Sequence, residues 1–369
     1  MCAPATLLVS LTCGSLLLNQ VAGGTRAAGE ALVRLWPPPR RMPKLSRGLS
    51  RLGLSPNVID TLCALVAERQ WPMHGALSRV SQMQHLVDKG VLTQMEVPGL
   101  LESQPNFLQC EFRTAYEDHR LVATDKPFQA RLHTMQSSSL SRDTSGPRWP
   151  GEATLHEHLQ TSHPECIVSK TGHARLCHQL DFATSGLIVA AKSREAANSV
   201  MSSFKKRTAR KLYAALVHGH PKWDSACWQD PIERSPSSFK QCVTADGKPA
   251  ETAVTVGARG TLLLGEHAGK DASLLWLEPK TGRRHQLRVH CAHHQHAIVG
   301  DVAYAGDRLA YRMFLHAAAL SLPLDDGTFA AAAPLEPVGW SNAFEPLEAV
   351  KGPPSWENPS YREQVRLRL

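Results

Sequence analysis

From residue 116 to residue 324 the chain is a succession of short β-type runs, each closed by Gly, Pro, Asp or Ser, and only two helical patterns interrupt them. The runs are HRLVATDKP (119–127), HARLCHQLD (173–181), SGLIVAAKS (185–193), RKLYAALVHGH (210–220), ETAVTVGAR (251–259), ASLLWLEPK (272–280) and FLHAAALSLPL (314–324). The helical patterns run from Arg194 to Arg207, and from just after Thr281-Gly282-Arg283 to about His294. Strands that outnumber helices without alternating with them exclude a doubly wound sheet. They predict an α+β fold, with a mixed, mainly antiparallel β-sheet core and flanking helices. A Ser-, Pro- and Gly-rich loop at 134–151 is inserted between strand segments.

The N-terminal third differs. Residues 5–18, ATLLVSLTCGSLLL, are apolar but too short to span a bilayer as a helix, and an acid-poor, Arg-bearing, Pro-rich stretch follows them. Residues 1–50 therefore read as a disordered targeting leader, with mitochondrion or plastid as the expected destination and the cytoplasm as the alternative. Residues 51–110 read as a small helical region of unknown role, because NVIDTLCALVAERQ and GALSRVSQMQHLVDKG both space apolar residues three and four apart. No later run is long and apolar enough to cross a membrane as a helix.

The net charge of +8 suggests an anionic partner until its distribution is considered. Residues 1–51 hold seven basic groups against Glu30 alone, so the remainder is only about +2. One local strip survives: Lys192, Arg194, Lys205, Lys206, Arg207, Arg210 and Lys211 stand against Glu195 alone. Such a strip suits either a solvated helix face or a surface that tracks phosphates. The nine cysteines are scattered and never spaced CxxC, which indicates neither a disulfide framework nor a thiolate zinc site.

Three segments carry the chemistry. In CHQLDFATSGLIVAAKS (177–193) a strand is expected to end in Asp181, turn through Thr184-Ser185-Gly186, and return as a second apolar strand. In LEPKTGRRHQLRVHCAHHQHAIVGDVAYAG (277–306) helical spacing sets His285, Arg288 and Ala292 on one side, with Leu287 and Cys291 on a packing stripe. Arg288 keeps its charge at any ordinary pH and needs a carboxylate partner, for which Asp181 is the candidate. That pairing would hold Asp181 ionised. Tyr213, in RTARKLYAALVHGH, follows the basic strip and reads as core filler or as a ring on which a base can stack.

These pieces, in this order, resemble the RluA-type RNA pseudouridine synthases. The family's H-R-L-D-x-x-T-S-G-L is similar to HQLDFATSGL, its F-x-x-R-x-x-x-K-x-Y-x-A-L-V to FKKRTARKLYAALV, and its T-G-R-x-H-Q-[IL]-R-V-H block to TGRRHQLRVHCAHHQHAIVGDVAYAG. DHRLVATDKP and FLHAAALSLPL resemble its N-K-P and L-H-A strands, so the likeness covers roughly residues 116–324. The resemblance implies the pseudouridine synthase fold over 111–335, with 336–369 as a C-terminal tail. It implies isomerisation of a uridine in structured RNA (tRNA, rRNA or mRNA) by a monomer that needs neither metal nor other cofactor. It places the catalytic carboxylate on Asp181, the base-stacking ring on Tyr213 and the Asp-pairing guanidinium on Arg288. RNA contacts are expected from Gln179, Lys205, Lys206, Arg207, Arg210, Lys211, Arg283 and His285. Gln179 stands where relatives carry an Arg, so substrate capture is expected to differ.

Two rivals stand beside this reading. His290, Cys291, His293, His294 and His296 crowd within seven residues, and His290 with His294 has the i, i+4 spacing of a helical zinc site, although no HExxH glutamate accompanies them. The other rival is an RNA-binding protein that kept the fold and lost activity, acting in organellar RNA or ribosome assembly.

Overall fold

A strand covered on both faces is buried along its length, and two strands are buried at every residue: β2 (Leu121–Lys126) and β3 (Ser185–Ala191). The computed structural model describes residues 112–354 apart from 129, 134–153, 265–266, 308–309, 311, 336–339 and 341–342, together with residues 56, 59, 60 and 63. The predicted leader at 1–50 and nearly all of the predicted helical region at 51–110 lie outside the described residues. Of the latter, Pro56, Ile59, Asp60 and Cys63 are helical, with Ile59 and Cys63 buried.

The remaining strands are β1 (Arg113–Glu117), β4 (Arg210–His218), β5 (Ser225–Trp228), β6 (Ile232–Arg234), β7 (Gln241–Val243), β8 (Thr252–Leu262), β9 (Asp271–Pro279), β10 (Leu315–Leu324), β11 (Gly327–Ala332) and β12 (Phe344–Ala349). The helices are α1 (Leu155–Ser162), α2 (Arg194–Lys205) and α3 (Gln286–His293). One ten-stranded sheet runs in the order β1-β2-β3-β10-β4-β9-β8-β12, with β11 on β10 and β5 on β8, while β6 and β7 form a separate hairpin. Every described strand pair is antiparallel except β3 with β10. The expected α+β class with a mixed, mainly antiparallel sheet is therefore observed.

The parallel pairing is short and tight. Ser185 faces His316 and Gly186 faces Ala317. Gly186 has φ +104°, and a Cβ there would fall 2.3 Å from the Ala317 carbonyl oxygen, so only glycine fits. A buried chain of hydrogen bonds locks the same junction: Arg312 Nη2 donates to Ser185 Oγ (2.7 Å), Ser185 Oγ lies 2.8 Å from His316 Nδ1, and His316 Nε2 lies 3.3 Å from the Ala333 carbonyl. Past Ala317 the edge of β10 passes from β3 to β11, beginning at Ala319↔Ala332.

Six of the seven expected strands are present, and HARLCHQLD is not one of them. Residues 174–178 lie along the edge of β3 through the Leu176↔Ala190 bridge and single bonds such as Cys177 N–H to the Val189 carbonyl. The Val189 N–H is then taken by His178 Nε2 (3.1 Å) where a strand would present a carbonyl, so the ladder stops. Asp181 consequently sits in a loop. Its carbonyl accepts the Thr184 N–H (3.1 Å), which places the turn at Phe182-Ala183 and leaves Ser185-Gly186 inside β3 rather than in the turn.

Local sequence accounts for the helices. Helix α1 starts with a reciprocal capping box between Thr154 and Glu157, and α2 with Ser193 Oγ accepting the Ala196 N–H. The second helix ends at Lys205 rather than Arg207, because Arg207 adopts φ +59° and cannot continue it. The stretch from Leu335, uninterpreted from sequence, supplies β12, which pairs with β8 from Phe344↔Leu262 to Ala349↔Ala258. Among the described residues no helix is long and apolar enough to cross a membrane.

Candidate active site

The Asp181 loop meets the start of α3, and the first half of β4 carries Tyr213. Asp181 is half-buried, and Arg288, in the first turn of α3, donates from Nη1 to its Oδ2 (3.2 Å). Tyr213 lies on β4 between Leu277 of β9 and Ala317 of β10 and packs against apolar residues of both neighbouring core clusters. Its phenol pKa is pushed up by burial and by the Asp181 charge. The three residues singled out from sequence as catalytic are thus brought together.

Arg288 is held from behind. Nε and Nη2 form a bidentate pair with Asp301 at 2.7 and 2.8 Å, leaving Nη1 for Asp181. Asp301 Oδ1 also accepts the N–H groups of Ala303 and Tyr304, which fixes the turn that carries it. The Tyr304 ring lies under the guanidinium, 5.0 Å from its carbon. Burial alone would raise the Asp181 carboxyl pKa, but the charges and hydrogen bond it faces outweigh burial and hold it below the ordinary carboxylate range. His285 is pushed down to about 4 by burial, so at neutral pH it is uncharged and the cations that keep Asp181 ionised are Arg288 and Arg284.

His285 precedes α3 with φ +54° and places Nε2 3.8 Å from Asp181 Oδ1 and Nδ1 2.7 Å from Tyr304 Oη. Tyr304 Oη also accepts the Gln241 N–H of the β6–β7 hairpin (2.8 Å). On the opposite side, the fully buried Lys126 donates from Nζ to the carbonyls of Pro127, Ala130 and Phe182, tying the end of β2 to the residue after Asp181. Asp301, Tyr304 and Lys126 received no role from sequence. Asp301 and Tyr304 lie inside the GDVAYAG end of the third motif, and Lys126 inside HRLVATDKP, so position in a motif was the available signal.

The remaining residues expected to contact RNA fall into two groups. Gln179, Lys205, Lys206 and Arg207 are exposed. Arg210 pairs with Glu278 (3.2 Å), Arg283 Nε donates to the Pro249 carbonyl (2.9 Å), and Lys211 donates to the Thr281 carbonyl (3.1 Å) with its pKa lowered to about 8 by burial.

The histidine-rich end of α3 is occupied by polar contacts, and three of its histidines, His290, His293 and His294, reach Asp230. His290 lies 3.0 Å from Thr252 Oγ1 and 3.1 Å from the Asp230 carbonyl, His294 pairs with Asp230 (2.7 Å) while stacking on Trp228, and His296 reaches the His218 carbonyl. Among the described residues, His218, His267 and Asp307 bring three metal-competent donors together, as do Glu117, His163 and Glu165. In the first group Asp307 is bonded to both imidazoles, at 3.0 and 2.8 Å, and to the Gly300 N–H. In the second both glutamates face Lys192. Hydrogen bonds and ion pairs account for both arrangements.

The chain has known relatives. A family model described as RNA pseudouridylate synthase matches residues 150–293. The dual-specificity RNA pseudouridine synthase RluA of Vibrio vulnificus is 36% identical over 217 residues, covering 56% of this chain and 75% of the relative. RNA pseudouridylate synthase domain-containing protein 1 of Danio rerio is 36% identical over 197 residues, covering 50% of this chain and 66% of that protein. A solved structure of human RNA pseudouridylate synthase domain containing 1 matches with a TM-score of 0.52 and 26% identity, over 66% of this chain and 91% of that one. The chain belongs to the RluA-type family of RNA pseudouridine synthases. It spans between 59% and 66% of the length of the four RNA pseudouridylate synthase domain-containing proteins it matches.

Proposed function

We propose that the protein isomerises uridine to pseudouridine within RNA, with Asp181 as the catalytic carboxylate. The observation that carries this reading is the half-buried Asp181 held ionised by Arg288, beside the Tyr213 ring, in a chain of this family. The target uridine leaves its stack at a cost of a few kcal/mol and enters the cleft. Its uracil packs against Tyr213. Asp181 acts at the ribose while the N1–C1′ bond breaks, and the freed uracil turns within the cleft. C1′ rejoins at C5, the C5 proton is released, and N1 takes up a proton, so the product is an isomer of the substrate. Arg288, braced by Asp301, fixes the direction of the carboxylate throughout.

Lys205, Lys206 and Arg207 supply the phosphate contacts, and Gln179 faces the strand from which the base was drawn. The carrier is a structured RNA such as a tRNA, an rRNA or an mRNA, met in a mitochondrion or plastid to which residues 1–50 direct the chain. Mapping pseudouridines in cellular RNA with and without the protein tests this. Specific sites are expected to disappear in its absence and to return with the wild-type protein but not with Asp181→Ala. An unchanged map would instead favour an RNA-binding protein without activity.

A further inference from the structure

The neighbourhood of His285 shows a feature that the Asp181–Arg288 pair does not require. His285 adopts a left-handed conformation, which is unfavourable for a residue with a Cβ, yet its side chain does not cap the helix it precedes. What the conformation achieves is to set the imidazole between Tyr304 and Asp181. Tyr304 Oη already accepts the Gln241 N–H, and its pKa is raised to about 12 by burial, so the phenol keeps its proton. The acceptor for that proton is His285 Nδ1, at 2.7 Å. A neutral imidazole that accepts at Nδ1 carries its own proton on Nε2. Nε2 faces Asp181 Oδ1 across 3.8 Å, while Arg288 serves the other oxygen. The opposite tautomer would set a bare nitrogen lone pair against a carboxylate.

We propose that His285, fixed by Tyr304 in the tautomer protonated at Nε2, is the second hydrogen-bond donor to the Asp181 carboxylate, and that Tyr304 is a positioning residue for the reaction. The 3.8 Å gap is too long for a hydrogen bond in the free protein, and it closes when RNA fills the cleft, as catalytic hydrogen bonds commonly tighten only in the substrate complex. The charged groups around the imidazole are Asp181, Arg288, Arg284 and Asp301. Because Tyr304 also holds Gln241, the β6–β7 hairpin is in register with this carboxylate through two hydrogen bonds.

The inference rests on the pseudouridine-forming reading, and its test separates the two. In nitrogen-15 NMR spectra of the wild-type protein His285 is expected to be a single tautomer protonated at Nε2, and in Tyr304→Phe a mixture. Loss of a hydrogen bond to a charged group predicts that His285→Asn, which tolerates the left-handed backbone but falls short of Asp181, lowers kcat about 10- to 100-fold. KM should change little, and the acid limb of the pH–rate profile should move to higher pH. His285→Gln, whose longer amide reaches the carboxylate, should recover part of the rate, and Tyr304→Phe should move kcat the same way by less. A wild-type His285 protonated at Nδ1, or a His285→Asn variant with unchanged kcat and acid limb, would overturn the proposal. If the wild-type protein forms no pseudouridine, the functional reading fails on its own. The tautomer, and an NMR titration of the Asp181 carboxyl in wild type and His285→Asn, then decide the role of His285: an unmoved carboxyl titration contradicts it.

Discussion

Tyr213 illustrates how one residue serves the sheet and the cleft at once. Its backbone pairs with β9 and β10, its ring completes two apolar clusters, and it stands close enough to Asp181 to feel that charge. Stacking between a base and an aromatic ring contributes about 1–3 kcal/mol, so Tyr213→Leu is expected to reduce kcat/KM by about 5- to 150-fold on an RNA substrate. Tyr213→Phe keeps the stacking face and should retain most of the activity, which steady-state kinetics on the two variants will compare. Sequence made Asp181, Tyr213 and Arg288 legible because each lies in a dense motif. It could not show that Arg288 spends two of its donors on Asp301. That carboxylate lies thirteen residues on, in a turn beyond the helix, where no periodic spacing relates the two.

At the level of elements, the junction of β3 with β10 places the Asp181 loop. The bonded chain from Arg312 through Ser185 and His316 to Ala333, together with the close approach at Gly186, fixes where β3 begins and hence where the preceding turn must end. Gly186→Ala adds both a positive-φ strain and a backbone clash. It is expected to destabilise the protein by about 3 kcal/mol or more, seen as a lower denaturant midpoint. Thr154→Ala removes the cap of α1 and should cost only about 1 kcal/mol in the same experiment. Apolar runs revealed the long strands from sequence because two-sided burial writes itself as continuous Val, Leu, Ile and Ala. The edge strands β1, β5 and β12 carry no such run, and β6 and β7 are three residues each. HARLCHQLD has the composition of a strand, but His178 substitutes a ring nitrogen for a backbone carbonyl and ends the pairing. Helix α1 was missed although Thr154 and Glu157 spell a capping box, because a single eight-residue helix carries too little periodicity to stand out.

Taken whole, the molecule keeps uncharged histidines where protonation would be costly. Burial lowers His178 to about 4, His285 to about 4 and His316 to about 3. Each folded pKa lies below its unfolded value, so each contributes stability that is present above about pH 6.5 and is lost as pH falls toward the folded pKa. Asp125, raised to about 7 by burial, opposes them with one proton over the same range. The lowered histidines outnumber the raised carboxyl, so unfolding free energy is expected to fall as the pH drops from about 6.5 to about 4, measurable by denaturant titration. Lys205, Lys206 and Arg207 form an exposed basic cluster, whereas most of the net +8 resides in residues 1–51. The central claim concerns the carboxylate of Asp181 acting on uridine. Its most direct test is tritium release from RNA labelled at C5 of uridine, because joining C1′ to C5 expels that hydrogen. Wild-type protein incubated with labelled RNA from cells lacking it is expected to release tritium and leave pseudouridine in the chain, while Asp181→Asn releases none although it still binds the RNA. Equal release by wild type and Asp181→Asn would contradict the account.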